Sequence, residues 1–286
     1  MFFSEQPMKI FRNWVYSNIH IALIAAALSL ETNVLLNVRP MGIAPGLIFC
    51  ATLLVYNLGY FNAVFSKKQS YREQARWMKA NVIYWVFSIL ISLLGLIYLI
   101  AKFDFYGQLT LAVLGFTTFI YILHDVNLFG KHLSIRSIPY LKVFIVALTW
   151  SAITILPQLV DSREYLAELY WTWLILERFF FILSITLMFD VRDLNNDPKH
   201  LHTIPQSIGI KQTKGLSIFL LAIATLFLFQ LNLNTYQFIG TLLVYFSAIF
   251  MIYNSQPIKD DIYYTGWFDG LIGLHALAII GFHFWP

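Results

Sequence analysis

The chain has 286 residues, of which 59% are hydrophobic, 17% aromatic and only 12% charged. Soluble domains carry about 25% charged residues, so this composition excludes a soluble domain that covers its surface with polar groups. The net charge of +4 suits a protein bathed in anionic lipid and gives no support for nucleic-acid binding.

Apolar runs of about 20 residues match the thickness of a bilayer core. They predict helices near 14–36, 43–65, 81–101, 107–123, 140–160, 170–189, 215–232, 236–253 and 266–285. The fourth and eighth are short, which leaves room for a tilted or partly interfacial placement. Each run is expected to be helical, because unpaired backbone groups are intolerable in lipid. The alternation of a barrel strand is absent. The expected fold is therefore an all-α, polytopic membrane bundle of nine transmembrane helices. Connections are short, so residues 1–286 read as a single integral membrane domain with no low-complexity tract. The first run is longer than a signal core and no small-residue cleavage site follows it. Cys50, the lone cysteine, lies in the second run, so no intrachain disulfide is expected.

The basic residues orient the bundle. Of the 19 Lys and Arg, 15 fall on the N-terminus or on the connections after the second, fourth, sixth and eighth helices. Arg39, Lys102 and Arg163 fall on the opposite side, and Arg178 lies within the sixth helix. The positive-inside rule then places the N-terminus in the cytoplasm and the C-terminus outside. For a bacterial chain this is the inner membrane. Trp14, Trp77, Trp85, Trp285 and the Tyr170/Trp171/Trp173 cluster read as interfacial belts. Glu177 and Arg178 sit deep in the sixth helix, where charges face the bundle interior in pairs. Adjacent residues point about 100° apart, so each is expected to meet a partner on another helix. Asp269 in the ninth helix is a similar case, as is Asp125 beside His124.

The densest acidic cluster is "FDVRDLNNDPKHLHTIP", residues 189–205. Asp190, Asp193 and Asp197 are spaced i, i+3, i+7 and fall within about 60° on one helical face. Pro198 disfavours helix at Asp197, so the helix is expected to end there. Three carboxylates on one face repel unless a cation sits among them. Hard divalent cations take oxygen ligands, and Mg²⁺ bridges carboxylates to substrate phosphates. Arg192, Lys199 and Lys211 nearby suit a phosphate anion. The expectation is a Mg–diphosphate site at the cytoplasmic mouth of the sixth helix. The competing reading is a solvated, acidic helix end. His200 and His202 fall short of a zinc ligand set.

The helix count and the Asp-x-x-Asp-x-x-x-Asp stretch "DVRDLNND", followed by "TIPQSIG" at 203–209, resemble the UbiA superfamily of membrane prenyltransferases. Its best-known type is 4-hydroxybenzoate polyprenyltransferase. The resemblance implies transfer of a polyprenyl group from its diphosphate to a lipophilic or aromatic acceptor. It implies Mg²⁺ held on the diphosphate by two Asp-rich motifs, and a central cavity for the prenyl tail. Asp190, Asp193 and Asp197 would be the catalytic and metal-binding acids. Asn57 matches the Asn of the family's first motif, but Leu58, Phe61 and Phe65 occupy its three Asp positions. The site would thus hold three acids instead of six. Either one Mg²⁺ suffices, with Lys67, Lys68, Arg72 and Arg76 of the basic connection in place of the second metal, or the chain is a lipid- or partner-binding scaffold that has lost transfer. Tyr140 and Lys142 match the Tyr and the basic residue that face the diphosphate, Arg136 less well. Tyr56 and Tyr60 are candidates for shielding an allylic cation. The Gly/Pro-broken helices in matching halves that mark a transporter are absent.

Overall fold

The computed structural model describes residues 5–37, 42–65, 72–122, 126–128, 131–133, 140–158, 168–197 and 202–283. Lys67, Lys68, Asp125, Arg136, Lys199, His200 and Trp285 lie outside the described residues.

The chain opens with α1 (Glu5–Tyr16), which is amphipathic and meets α2 (Ile19–Leu35) at a bend of 69°. Asn18 makes that corner with a left-handed backbone, φ 62°. Asn enters the left-handed region more readily than most non-glycine residues. The second apolar run is α3 (Ile43–Leu58), a break at Gly59–Tyr60, and a short α4 (Phe61–Phe65). A connecting helix, α5 (Glu73–Ala80), leads to α6 (Val82–Ile100) and α7 (Phe105–Ile122). Two three-residue strands follow, β1 (Val126–Leu128) and β2 (Lys131–Leu133), paired antiparallel with Asn127 opposite His132. This hairpin is a local feature of an otherwise all-α fold. It lies in a connection between apolar runs, where the lipid constraint does not apply.

The second half comprises α8 (Leu141–Ile153), the long α9 (Glu168–Asp193), a short α10 (Ile204–Ile208), α11 (Ile210–Leu228), α12 (Thr235–Asn254), a π-helical segment (Tyr263–Phe268) and α13 (Asp269–Gly281). Gly209 joins α10 to α11 at φ 84°, a conformation that requires glycine. Asn234 caps α12 by accepting from the Gln237 N–H at 2.8 Å.

Among the described residues, five segments are long and apolar enough to cross a membrane, and up to six if the bent α1–α2 pair counts as one span. On α6, Ile83, Phe87, Leu90, Ile91, Leu94, Ile97 and Tyr98 are all exposed. A continuous apolar face of that kind needs a hydrocarbon solvent. The chain is an integral membrane protein. Trp85, expected at an interface, is instead 4% exposed, and its Nε1 donates to the Asn57 carbonyl at 2.8 Å.

α9 is the central strut, packed mainly on α11 and α8, while α2 packs on α3 and α13. Phe181, Ile182, Ile185 and Met188 form its buried apolar face. Across that face runs one charged layer. Arg178 Nη2 donates to Glu31 Oε1 at 2.7 Å, and Nη1 donates to Thr32 Oγ1 and Thr154 Oγ1 at 2.8 and 2.9 Å. His275 lies between two glutamates, Nδ1 3.2 Å from Glu31 Oε2 and Nε2 3.0 Å from Glu177 Oε1. Tyr245 donates to the same Glu177 oxygen. Glu31, Glu177, Arg178 and His275 are all fully buried. The layer thus ties α2, α8, α9, α12 and α13 together, and it supplies the partners expected for Glu177 and Arg178.

Candidate functional site

The start of α2, the end of α3, the starts of α5 and α8, the end of α9 and the π segment converge at one end of the bundle. They enclose a cavity of about 200 Å³. Its wall is polar on one side (Asn18, Gln74, Arg72, Lys142, Arg192, Asp193, Asp261, Asp269) and apolar on the other (Ile21, Ile182, Ile185, Ile272).

Asp193 is the hub. Helix α9 carries it into the cavity as its last residue, because Asn195 and Asn196 ahead of Pro198 favour a turn over further helix. Arg72 Nη2 donates to Asp193 Oδ2 at 2.8 Å. Arg192 donates from Nε to Oδ1 at 2.9 Å and from Nη2 to Oδ2 at 3.1 Å. The Arg192 guanidinium also lies over the Phe189 ring, 5.0 Å from its centroid, which fixes its plane. Burial alone would raise the Asp193 carboxyl, but Arg192, and after it Arg72 and Lys142, hold it below the usual carboxylate range.

Asp190 stands one turn earlier, buried, and accepts from Lys142 Nζ at 2.8 Å. It is not itself in the cavity wall, but it holds Lys142, which is. Asp261 comes from the opposite side. It accepts from the Glu73 N–H at 3.1 Å and faces Arg192 at 3.8 Å.

The sequence-predicted residues divide. Asp193, Arg72, Lys142, Arg192 and Tyr56 come together in the cavity wall. Asp197 is past the helix end, since α9 stops at Asp193, and does not share the wall. Its N–H bonds to the Asp193 carbonyl at 2.8 Å. Asn57 is fully buried, and its side chain bonds to the Leu53 carbonyl at 2.7 Å and to Asn18 at 3.3 Å. It therefore ties α3 to α2 and does not face the cavity; Asn18 does. Tyr140 is exposed and bonds to Ser207 at 3.0 Å, which ties the start of α8 to α10. Lys67 and Lys199 lie outside the described residues. Leu58, Phe61 and Phe65 are 37, 52 and 64% exposed. The degenerate first motif thus points outward, and the break at Gly59 interrupts the helical face it would need.

Asn18, Gln74, Asp261 and Asp269 were not legible as site residues. No local motif contains them; three chain crossings bring them beside Asp193. Gln74 Nε2 donates to Asn18 Oδ1 at 2.8 Å, which orders that corner.

The donor set was tested against the divalent cation expected from the aspartate spacing. Among the described residues, no three His, Cys, Asp or Glu side chains are grouped closely enough to share an ion. Both oxygens of Asp193 are taken by guanidinium groups, and Asp190 is taken by an ammonium. Asp190, Asp193 and Asp197 do not form a three-carboxylate cage. Side-chain cations stand where the ion was expected.

A second cavity of about 430 Å³ adjoins the first. Leu47, Thr52, Val55, Leu96, Leu111 and Ile153 are among its lining residues, from α3, α6, α7 and α8. Tyr56 and Trp150 line both cavities, their rings edge-to-face with centroids 6.4 Å apart.

The fold is shared with two solved membrane proteins. One is a UbiA homolog from Archaeoglobus fulgidus bound to Cd²⁺, with a TM-score of 0.57 and 13% identity over 93% of this chain and 99% of that one. The other is a digeranylgeranylglyceryl phosphate synthase, with a TM-score of 0.55 and 11% identity over 95% and 98% of the two chains. The chain therefore has the UbiA-like membrane fold, as the Asp motif and helix order implied. No protein-family model and no curated protein matches the sequence.

Proposed function

We propose that this chain transfers a prenyl group from a polyprenyl diphosphate to a lipophilic or aromatic acceptor inside the membrane. One observation carries the reading. A polar cavity with three cationic side chains lies beside an apolar cavity, and Tyr56 and Trp150 line both. That shape is amphipathic in the same sense as an isoprenoid diphosphate. The shared fold supports it.

Arg72, Arg192 and Lys142 would hold the diphosphate oxygens. Arginine has donors to spare beyond those it gives Asp193. The prenyl chain would lie in the apolar cavity, with its first carbon near Tyr56 and Trp150. Breaking the allylic C–O bond sends its electron pair to the diphosphate. Fixed cations stabilise that developing charge without reorganising, which is the largest effect most active sites have. The electron-rich faces of Tyr56 and Trp150 favour the carbon left positive. Asp190 and Asp193 would act by aiming Lys142 and Arg72. Among the described residues no three carboxylates form a cage for Mg²⁺; a divalent ion would enter as the counter-ion of the diphosphate. By the positive-inside rule this end of the bundle faces the cytoplasm. The nine crossings and the single domain, 1–286, belong to the same proposal.

The test is binding of geranylgeranyl S-thiolodiphosphate to the purified protein, followed by diphosphate release from geranylgeranyl diphosphate over a panel of acceptors. Binding that Arg72→Ala and Lys142→Ala weaken, together with acceptor-dependent release, supports transfer. Binding without release under any acceptor would leave a lipid-binding scaffold.

A further inference from the structure

Three carboxylates line the cavity, Asp193, Asp261 and Asp269, and Asp190 stands behind Lys142; all but Asp269 are held. Asp193 has two arginines, Asp190 has Lys142, and Asp261 has the Glu73 N–H and faces Arg192. Asp269 has nothing. It lines the cavity, yet among the described residues no donor or cation bonds to its carboxylate. Asp269 is half-buried, so its carboxyl faces the cavity with oxygens open to a partner from within it.

Its placement is built. Asp261, Thr265, Asp269 and Ile272 all line the cavity. Residues eight apart on a straight α-helix stand about 80° out of line. The π segment at Tyr263–Phe268 widens the turn between Asp261 and Asp269 and works against that drift. Single π turns of this kind recur at functional sites.

Resting on the diphosphate reading above, we infer that Asp269 is the acceptor-side catalytic residue: it receives the O–H or N–H of the acceptor and takes its proton. The allylic C–O bond breaks with its electrons passing to the diphosphate. A lone pair of the acceptor oxygen or nitrogen forms the new bond to carbon. The proton that atom then sheds goes to the open Asp269 carboxylate. The other three acids are engaged with cations or backbone and are not free for this. The acceptor is thereby assigned a chemical class, a molecule with a hydrogen-bond donor on its nucleophilic atom.

The test uses two probes of nearly equal shape, p-cresol and 4-methylanisole, on full-length protein preloaded with geranylgeranyl S-thiolodiphosphate. A hydrogen bond to a carboxylate should make p-cresol bind about tenfold or more tightly than the ether. Asp269→Leu should abolish that preference. Asp269→Asn, which keeps an accepting oxygen, should retain part of it. Thermal unfolding midpoints close to that of the wild type show that both variants fold. Equal affinity of the wild type for the two probes, or a preference that survives Asp269→Leu, overturns the assignment. Failure of the wild type to bind the thiolodiphosphate would instead sink the diphosphate reading, and the probe comparison on unloaded protein would still decide Asp269.

Discussion

Arg72 and Asp193 are 121 residues apart in the chain, and their side chains meet at 2.8 Å. The contact joins the start of α5 to the end of α9. It places a guanidinium where the UbiA resemblance leads one to expect a metal ion. Asp193 keeps Arg192 as a second partner, so Arg72 is a clamp whose loss leaves no bare charge.

Arg72→Ala should therefore cost binding more than folding. Removing one charge-assisted contact to a phosphate is worth about 1.5–3 kcal/mol, or roughly 10- to 100-fold in affinity. Titration of the thiolodiphosphate into wild type and variant measures this, with the midpoint of thermal unfolding as the control. A variant that unfolds early and binds normally when folded would make Arg72 structural.

Lys142→Met separates aim from scaffold on the other side. It removes the partner of the buried Asp190, so it should both destabilise the protein, by about 3–5 kcal/mol if Asp190 stays charged, and weaken the ligand. Adding Asp190→Asn to Lys142→Met should restore most of the stability and none of the affinity. Stability and binding measured on the three variants decide it.

Acid should act on the Asp193 clamp late. A carboxyl held low in the folded state contributes stability that is complete above its unfolded value, about 3.9, and is lost as pH falls through the lower folded value. Unfolding midpoints of wild type and Asp193→Asn should therefore differ by a constant amount from pH 5 to 8 and converge only below about pH 4. Convergence near neutral pH would show that the clamp is not ionic.

The charged layer in the bundle centre makes a separate claim about stability. Arg178→Met leaves Glu31 facing His275 alone, and breaking one member of a buried ion pair costs about 3–5 kcal/mol. Asp190 is 13 residues along α9 from Glu177, about 20 Å at 1.5 Å per residue, so binding of the thiolodiphosphate by the folded fraction should be unaffected. Chemical unfolding in detergent gives the first quantity and the titration gives the second.

What could be read from the sequence follows from which interactions are local. The apolar runs are local, so a helix occupies each predicted window among the described residues. The Asp190–Asp193 spacing is local, and so is the pull of Pro198 against further helix. The exception at Asp197 is also local in cause, since two asparagines end the helix four residues early. The clamp was half legible. Arg72 and Lys142 were candidates, but nothing in their neighbourhoods says that they grip Asp193 and Asp190 in place of a metal. Asn57 looked like a ligand because it sits beside a degenerate motif, whereas its amide is spent on Leu53 and Asn18. Asp269 carries no motif at all. Its meaning comes from the π segment and from making no hydrogen bond or close ion pair among the described residues, and both are properties of the fold.

The central claim is that side-chain cations, not a carboxylate-bound metal, hold the diphosphate. The direct measurement is the affinity of the purified protein for geranylgeranyl S-thiolodiphosphate in EDTA and in millimolar Mg²⁺, repeated on Arg72→Ala. The account predicts binding that survives EDTA within about threefold and falls at least tenfold in the variant under both conditions. Binding that vanishes in EDTA, returns with Mg²⁺ and ignores Arg72→Ala would contradict it.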